Sequence, residues 1–217
     1  MCGRFGFAVP KSSLMAHFEA QSFRGDYLER YNVAPTQSVP VVVAPEGERI
    51  IEVMRWGLIP SWAKDLKKQS PLINARAETI TEKPSFRSSF KSRRCLVPAD
   101  GFYEWVPKDN GKAPYWIYKT DEGLFAFAGI WSEWGQGEDV IRSFSIITTG
   151  ANEKLKALHD RMPVILDPED YARWLDPALQ DPVSLLKAYP PEQMAYHEVS
   201  LRVNSPKHDD PACRAPV

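Results

Sequence analysis

Nineteen prolines are scattered through the 217 residues, against twelve glycines. Proline cannot sit in a helix interior without breaking its hydrogen-bond ladder, and in sheets it is confined to edges and bulges. The chain is therefore cut into many short segments joined by rigid turns, and a bundle of long helices is excluded. Most of those segments read as strands. Val39 to Val43 and Ile50 to Trp56 flank a turn at Pro45-Glu46-Gly47, and Cys95 to Val97 and Gly101 to Val106 follow. Asp109-Asn110-Gly111 is a strong turn signal before a strand over Tyr115 to Lys119. Leu124 to Trp131, Ser143 to Thr149, Val164 to Leu166 and Tyr196 to Leu201 complete the set.

Helix signals are few. Lys11 to Ala20 carries Leu14, Met15 and Phe18, with Ser12 or Ser13 available as cap. Asn152 is placed to cap a helix running to about His159. Asp167-Pro168-Glu169-Asp170 has a capping acid, a proline at the first helical position and acids in the first turn, and leads into Tyr171, Trp174 and Leu175. The stretch from Ala63 to Ser70, with Lys64, Lys67 and Lys68, reads as a surface loop, and the tail after Asn204 as irregular. No repeat or linker divides the chain. The expected architecture is α+β, predominantly β: a single domain over residues 1–217 with a twisted, barrel-like antiparallel core and flanking helices.

Composition narrows the function. A hydrophobic fraction of 43% is ample for a packed core, and a net charge of -1 supplies no global field to draw in nucleic acid, so any such binding needs a local patch. Three cysteines, Cys2, Cys95 and Cys213, form no CxxC pair, and with four scattered histidines they give no metal-ligand spacing. No apolar run reaches the ~20 residues of a membrane span, and no signal-peptide pattern opens the chain. A soluble, cytoplasmic protein in a reducing compartment is expected, with no metal, nucleotide or organic cofactor.

The start, Met1-Cys2-Gly3-Arg4, carries chemistry. Removal of Met1 would leave Cys2 with an α-amine and a thiol on adjacent carbons. These groups ordinarily titrate near ~7.7–8.0 and ~8.5, so both are partly deprotonated at neutral pH. Such an aminothiol condenses with an aldehyde through nitrogen and closes through sulfur to a thiazolidine. Further along, Asn74 and Arg76 share one face if their segment is extended, an amide beside a phosphate-binding guanidinium. Glu104 lies among aromatics in Phe102-Tyr103-Glu104-Trp105, surroundings that suit a carboxyl to proton transfer. His159, beside Asp160 and Arg161, is a candidate acid or base. The run Phe86-Arg87-Ser88-Ser89-Phe90-Lys91-Ser92-Arg93-Arg94 could track a phosphate backbone or simply be a solvated face. Trp62 could stack on an unpaired base, whereas Trp56, on its strand, reads as core.

In this order the motifs are specific. Met1-Cys2-Gly3-Arg4-Phe5, Tyr31-Asn32-Val33-Ala34-Pro35-Thr36, Arg55-Trp56-Gly57-Leu58-Ile59-Pro60, Ile73-Asn74-Ala75-Arg76-Ala77-Glu78-Thr79, Pro98-Ala99-Asp100-Gly101-Phe102-Tyr103-Glu104-Trp105 and His159-Asp160-Arg161-Met162-Pro163 together resemble the SOS-response-associated peptidase (SRAP) family, through Val203-Asn204-Ser205-Pro206. The resemblance implies a protein that links covalently to abasic sites in single-stranded DNA and shields them. It also implies removal of its own Met1 and weak lyase activity on the abasic strand. It casts Cys2 as the crosslinking residue, Asn74 and Glu104 as lining the site, His159 as a proton carrier, and Arg4, Arg76 and Arg161 as phosphate contacts. The partner expected is abasic single-stranded DNA, met by a monomer with no membrane contact. The long, Lys-rich stretch from Trp62 to Pro71 differs from the pattern expected of some relatives, so the base-wedging residues there are not defined by the resemblance. Two rivals remain: an N-terminal-nucleophile amidohydrolase or glutamine amidotransferase, which would hydrolyse glutamine and leave no covalent DNA product, and a non-catalytic single-strand-binding module, whose binding would survive loss of Cys2.

Overall fold

A computed structural model describes residues 2–65, 70–109 and 111–217. Met1, the lysines at 67 and 68, and Asn110 of the expected turn lie outside the described residues. The strands are β1 (Phe5–Phe7), β2 (Ser22–Arg24), β3 (Arg30–Val33), β4 (Ser38–Val43), β5 (Ile50–Trp56), β6 (Asn74–Arg76), β7 (Arg94–Ala99), β8 (Gly101–Lys108), β9 (Gly111–Lys119), β10 (Phe125–Trp134), β11 (Ile141–Gly150), β12 (Arg161–Pro163), β13 (Ile165–Leu166) and β14 (Met194–Glu198). Three short helices flank them: α1 (Lys11–His17), α2 (Arg87–Ser92) and α3 (Tyr171–Leu175).

The barrel is real. β4 pairs with β5, β7 with β4, β10 with β7 and β11 with β10, all antiparallel. A parallel contact, Ser143 opposite Arg55 and Phe144 opposite Trp56, then joins β11 back to β5 and closes a ring of five strands. Two further parallel pairings, β2 on β5 and β6 on β11, extend the otherwise antiparallel network. Its strands are buried on both faces. Val39, Val41, Met54, Trp56, Val97, Phe127, Phe144 and Ile146 fill one cluster. The alternate residues Val42, Ile51, Leu96, Ala126, Ala128 and Ile147 join α1's Leu14 and α3's Trp174 in another. That double burial is why these segments read as apolar runs rather than as an alternation of apolar and polar residues.

A second sheet, in the order β14-β9-β8-β1-β3, lies against the barrel. Phe5, Phe102, Ile117 and Met194 carry its inner face into the barrel's core cluster. Its other face holds Tyr103 and Trp116, rings 4.6 Å apart, against Val203 and Cys213. The tail past Asn204 is irregular yet firmly attached. Asp209 accepts from the backbone amides of Tyr31 and Asn32 and pairs with Arg30, while Cys213 is buried.

Several local expectations change. The first helix stops at His17, and neither Ser12 nor Ser13 caps it, since it starts directly after Pro10. Asn152 does cap, accepting from the Leu155 amide at 2.9 Å, but only a single 3-10 turn follows. The chain must return at once, because Arg161 pairs back onto Gly150. The proline after Asp167 starts a 3-10 turn before α3, with no side-chain cap from Asp167. The basic run forms α2, and its last cation turns inward. Arg94 is buried and donates to the carbonyls of Trp174 (2.7 Å), Phe90 (2.9 Å), Lys91 (3.1 Å) and Asp176. It ties α2 to α3 instead of facing a phosphate.

Gly101 begins the strand that carries Glu104, and a Cβ there would lie 2.2 Å from the buried ring of Trp116. Overpacking of this kind costs about 1–3 kcal/mol. Gly101→Ala is therefore expected to lower the unfolding free energy by that amount, read as a lower urea midpoint with an unchanged slope; an unshifted midpoint would mean that Trp116 repacks freely.

Candidate active site

Cys2 precedes β1 and is fully buried, its side chain within the core cluster that includes Phe5, Val33 and Phe127. Burial pushes its thiol well above the ordinary range, and the Glu104 carboxylate pushes it further the same way. The thiol is therefore held protonated, and among the described residues it makes a long contact of 4.0 Å to the Arg4 carbonyl. Glu104 is itself buried on β8, on the same strand face as Phe102, and its field at the thiol brings these two predicted residues together. Asn74 joins them directly, its Nδ2 donating to the Cys2 carbonyl at 2.8 Å. The Asn74 Oδ1 is shut off from solvent and accepts nothing from the described residues, a spare acceptor beside the backbone of Cys2.

The cations are organised by β11. Asn74 stands in register with Ile146, Arg76 with Thr148 and Arg161 with Gly150, so β6 and β12 hang from the same few residues of one strand. Arg76 is exposed at the end of β6. Arg161 is mostly buried, its side chain 15% exposed. Its Nη2 donates to the Thr148 carbonyl (2.7 Å) and Oγ1 (3.2 Å), and its two terminal nitrogens grip the Glu78 carboxylate at 2.6 and 3.0 Å. The grip holds the Glu78 carboxyl below its usual range.

His159 is anchored to the same corner. The Arg161 amide donates to its Nδ1 at 2.9 Å, while the exposed Asp160 carboxylate also lies 2.7 Å from that nitrogen. One nitrogen cannot accept from an amide and donate to a carboxylate at once. The Arg161 amide and the exposed Asp160 carboxylate therefore compete for the same nitrogen. Arg4 faces the second sheet. Its Nη1 donates to Asn32 Oδ1 and to the Val203 carbonyl, both at 2.7 Å, and its guanidinium lies 5.6 Å over the Trp105 ring. Trp62 stands apart from the rest. Its ring is 58% exposed, but the following residue is held by the Trp134 indole at 2.6 Å, opposite the start of β11, whereas the arginines occupy its far end. Ile141, opposite Trp134, and Thr148, opposite Arg76, lie seven residues apart on β11, roughly 23 Å of strand.

Among the described residues no group of three or more His, Cys, Asp and Glu side chains could hold a metal ion, and no helix is long and apolar enough to cross a membrane. The arrangement is a thiol-bearing residue fixed through its carbonyl beside a carboxylate, with Arg76, Arg161 and His159 gathered further along β11 from the register position of Asn74. The profile of the SOS response associated peptidase family matches residues 1–206. The chain belongs to the SRAP family. The abasic site processing protein YoqW of Bacillus subtilis (strain 168) is 43% identical to it over 218 residues, 97% of each chain. The abasic site processing protein HMCES of Pongo abelii is 35% identical, spanning all of this chain and 76% of its own. A crystal structure of a protein from Bacteroides thetaiotaomicron superposes with a TM-score of 0.86 at 32% identity, covering 99% of this chain and all of that one.

Within this SRAP chain the supporting roles of three residues escape a reading by motif, although Asn32 and Glu78 stand inside motifs. Asn32, Thr148 and Glu78 hold the arginines rather than carrying chemistry, and only pairing across long sequence distances identifies them. Alkylation of Cys2 by iodoacetamide, followed by peptide mass mapping, is expected to keep rising with pH beyond the ordinary thiol range of about 8.5. Since the Glu104 charge raises the thiol, Glu104→Gln is expected to move that profile to lower pH; an unmoved profile would deny the two groups their coupling.

Proposed function

We propose that this chain processes abasic sites in single-stranded DNA by forming a covalent link through Cys2. The observation that carries the reading is the hydrogen bond from Asn74 to the Cys2 carbonyl. It fixes an aminothiol residue to the strand that ends in the exposed Arg76. The printed names of the relatives agree with it: YoqW and HMCES are both abasic site processing proteins.

The chemistry follows from the groups present. Once Met1 is hydrolysed away, the Cys2 amine is free. An abasic sugar equilibrates between a closed ring and an open aldehyde, and His159 or Glu104 supplies the proton that its ring oxygen needs to open. The neutral amine adds to the aldehyde carbon, and loss of water leaves a Schiff base. Because burial and Glu104 keep the thiol protonated, nitrogen attacks first and sulfur second. In the second step the thiol proton passes to Glu104, sulfur bonds to the Schiff-base carbon, and nitrogen regains a proton, which completes the thiazolidine. A Schiff base that escapes sulfur capture can β-eliminate, the origin of a weak strand-cleaving activity. Glu104 serves a second time as proton shuttle in Met1 hydrolysis, and Arg76 and Arg161 hold the flanking phosphates.

Single-stranded DNA bearing one abasic site, mixed with the protein and run on a denaturing gel, is expected to give a shifted band whose intact mass lacks Met1. Cys2→Ala is expected to abolish the band; a thiazolidine-type adduct that persists would sink the mechanism. No band from protein whose mass shows a free Cys2 would redirect attention to glutamine hydrolysis. Arg76→Ala is expected to weaken DNA binding and flatten its dependence on salt by about 0.7 in log–log slope, the value for one phosphate on a single strand. An unchanged slope would remove Arg76 from the phosphate contacts.

A further inference from the structure

Arg161 holds an anion without DNA. Both of its terminal nitrogens already bind the Glu78 carboxylate in a bidentate fork at 2.6 and 3.0 Å, the geometry a phosphate would take. Its Nε is buried and has no partner among the described residues, so no second fork is open to a ligand. The positive field of Arg76 also falls on that carboxylate, which therefore sits under the influence of both arginines. The two partners of the pair are held very differently. The guanidinium is mostly buried and is kept in place by Thr148 through two further bonds, whether or not Glu78 is there. The Glu78 side chain is 51% exposed and rises from a single 3-10 turn, Ala77–Thr79, whose start has no side-chain cap. Of the two partners, the cation is fixed by bonds of its own while the half-exposed carboxylate on a short turn is the one free to move, so the anion is the exchangeable member of the pair.

We propose that Glu78 is a resident anion that occupies the Arg161 fork in the free protein and yields it to a DNA phosphate on binding. The inference rests on the reading of Arg161 as a phosphate contact. Glu78 then acts as a specificity-determining residue. A strand gains Arg161 only by displacing a carboxylate, so the contact adds little to loose, undamaged strands. It counts fully for a strand held long enough at Cys2 to complete the exchange.

The test is a double-mutant cycle of Glu78→Gln and Arg161→Ala, with fluorescence anisotropy of an undamaged oligo-dT strand across a salt titration and thermal melting as the check on folding. The amide is nearly isosteric but uncharged. Glu78→Gln is expected to bind about three- to tenfold tighter at low salt, with a log–log salt slope steeper by about 0.7. The gain is expected to vanish on the Arg161→Ala background. Weaker or unchanged binding by Glu78→Gln would overturn the exchange and make Glu78 a support for Arg161. A gain that persists without Arg161 would also overturn it, as a general effect of charge. On the undamaged strand Arg161→Ala is expected to bind nearly as the natural protein does; equal crosslinking of an abasic strand by the two would instead remove the phosphate reading of Arg161 on which the inference stands.

Discussion

Strand β11 carries both the barrel and the site. Its first half closes the ring, with β10 along one edge and the parallel segment of β5 along the other. Its second half continues past the ring and takes β12 and β6 on those same two edges. Register in a sheet is quantised, and a slip of one residue turns every side chain to the opposite face. The packing of Phe144 and Ile146 into the core thus also fixes where Asn74, Arg76 and Arg161 stand. The ring needs no catalytic residue to close, and the site cannot exist without the ring.

The site places a nucleophilic residue in dry surroundings and gives it polar neighbours through the backbone. Asn74 binds the Cys2 carbonyl, not its thiol, so the residue is held while its sulfur stays neutral. The arginines follow a similar rule. Arg4 and Arg161 are each clamped by backbone carbonyls before any partner arrives, which limits the side-chain entropy lost on binding. Arg76 alone among the three stands exposed.

Much of this was legible in the sequence because burial writes strongly. The β-branched run at Val39 to Val43 and the aromatic strands around Phe102 and Phe127 announce themselves by composition. The order of the motifs around Cys2, Asn74, Glu104 and His159 identified the family. What was not legible depends on partners far away in the chain. Nothing near Arg94 says that its guanidinium will turn inward to four carbonyls, so a basic run that forms α2 resembles a solvated face. Nothing around Ser143 says that it will lie parallel to Arg55. The helix after Asn152 has an adequate local signal, but pairing of Arg161 with Gly150 overrides it. Glu78 looks like an ordinary acid until β12 brings Arg161 to it across 83 positions.

The Arg4 clamp has a consequence for the order in which the molecule is made. One of its two anchors is the carbonyl of Val203, 199 positions later, and the other is Asn32, whose amide also binds the carbonyls of Val203, Ser205 and His208. During synthesis the amino-terminal residues emerge and begin to organise first. Here the setting of residues 2–4 stays unfinished until the segment near 203–208 has left the ribosome and docked on β3. A nascent chain, or one truncated before that segment, therefore carries Cys2 without its completed surroundings.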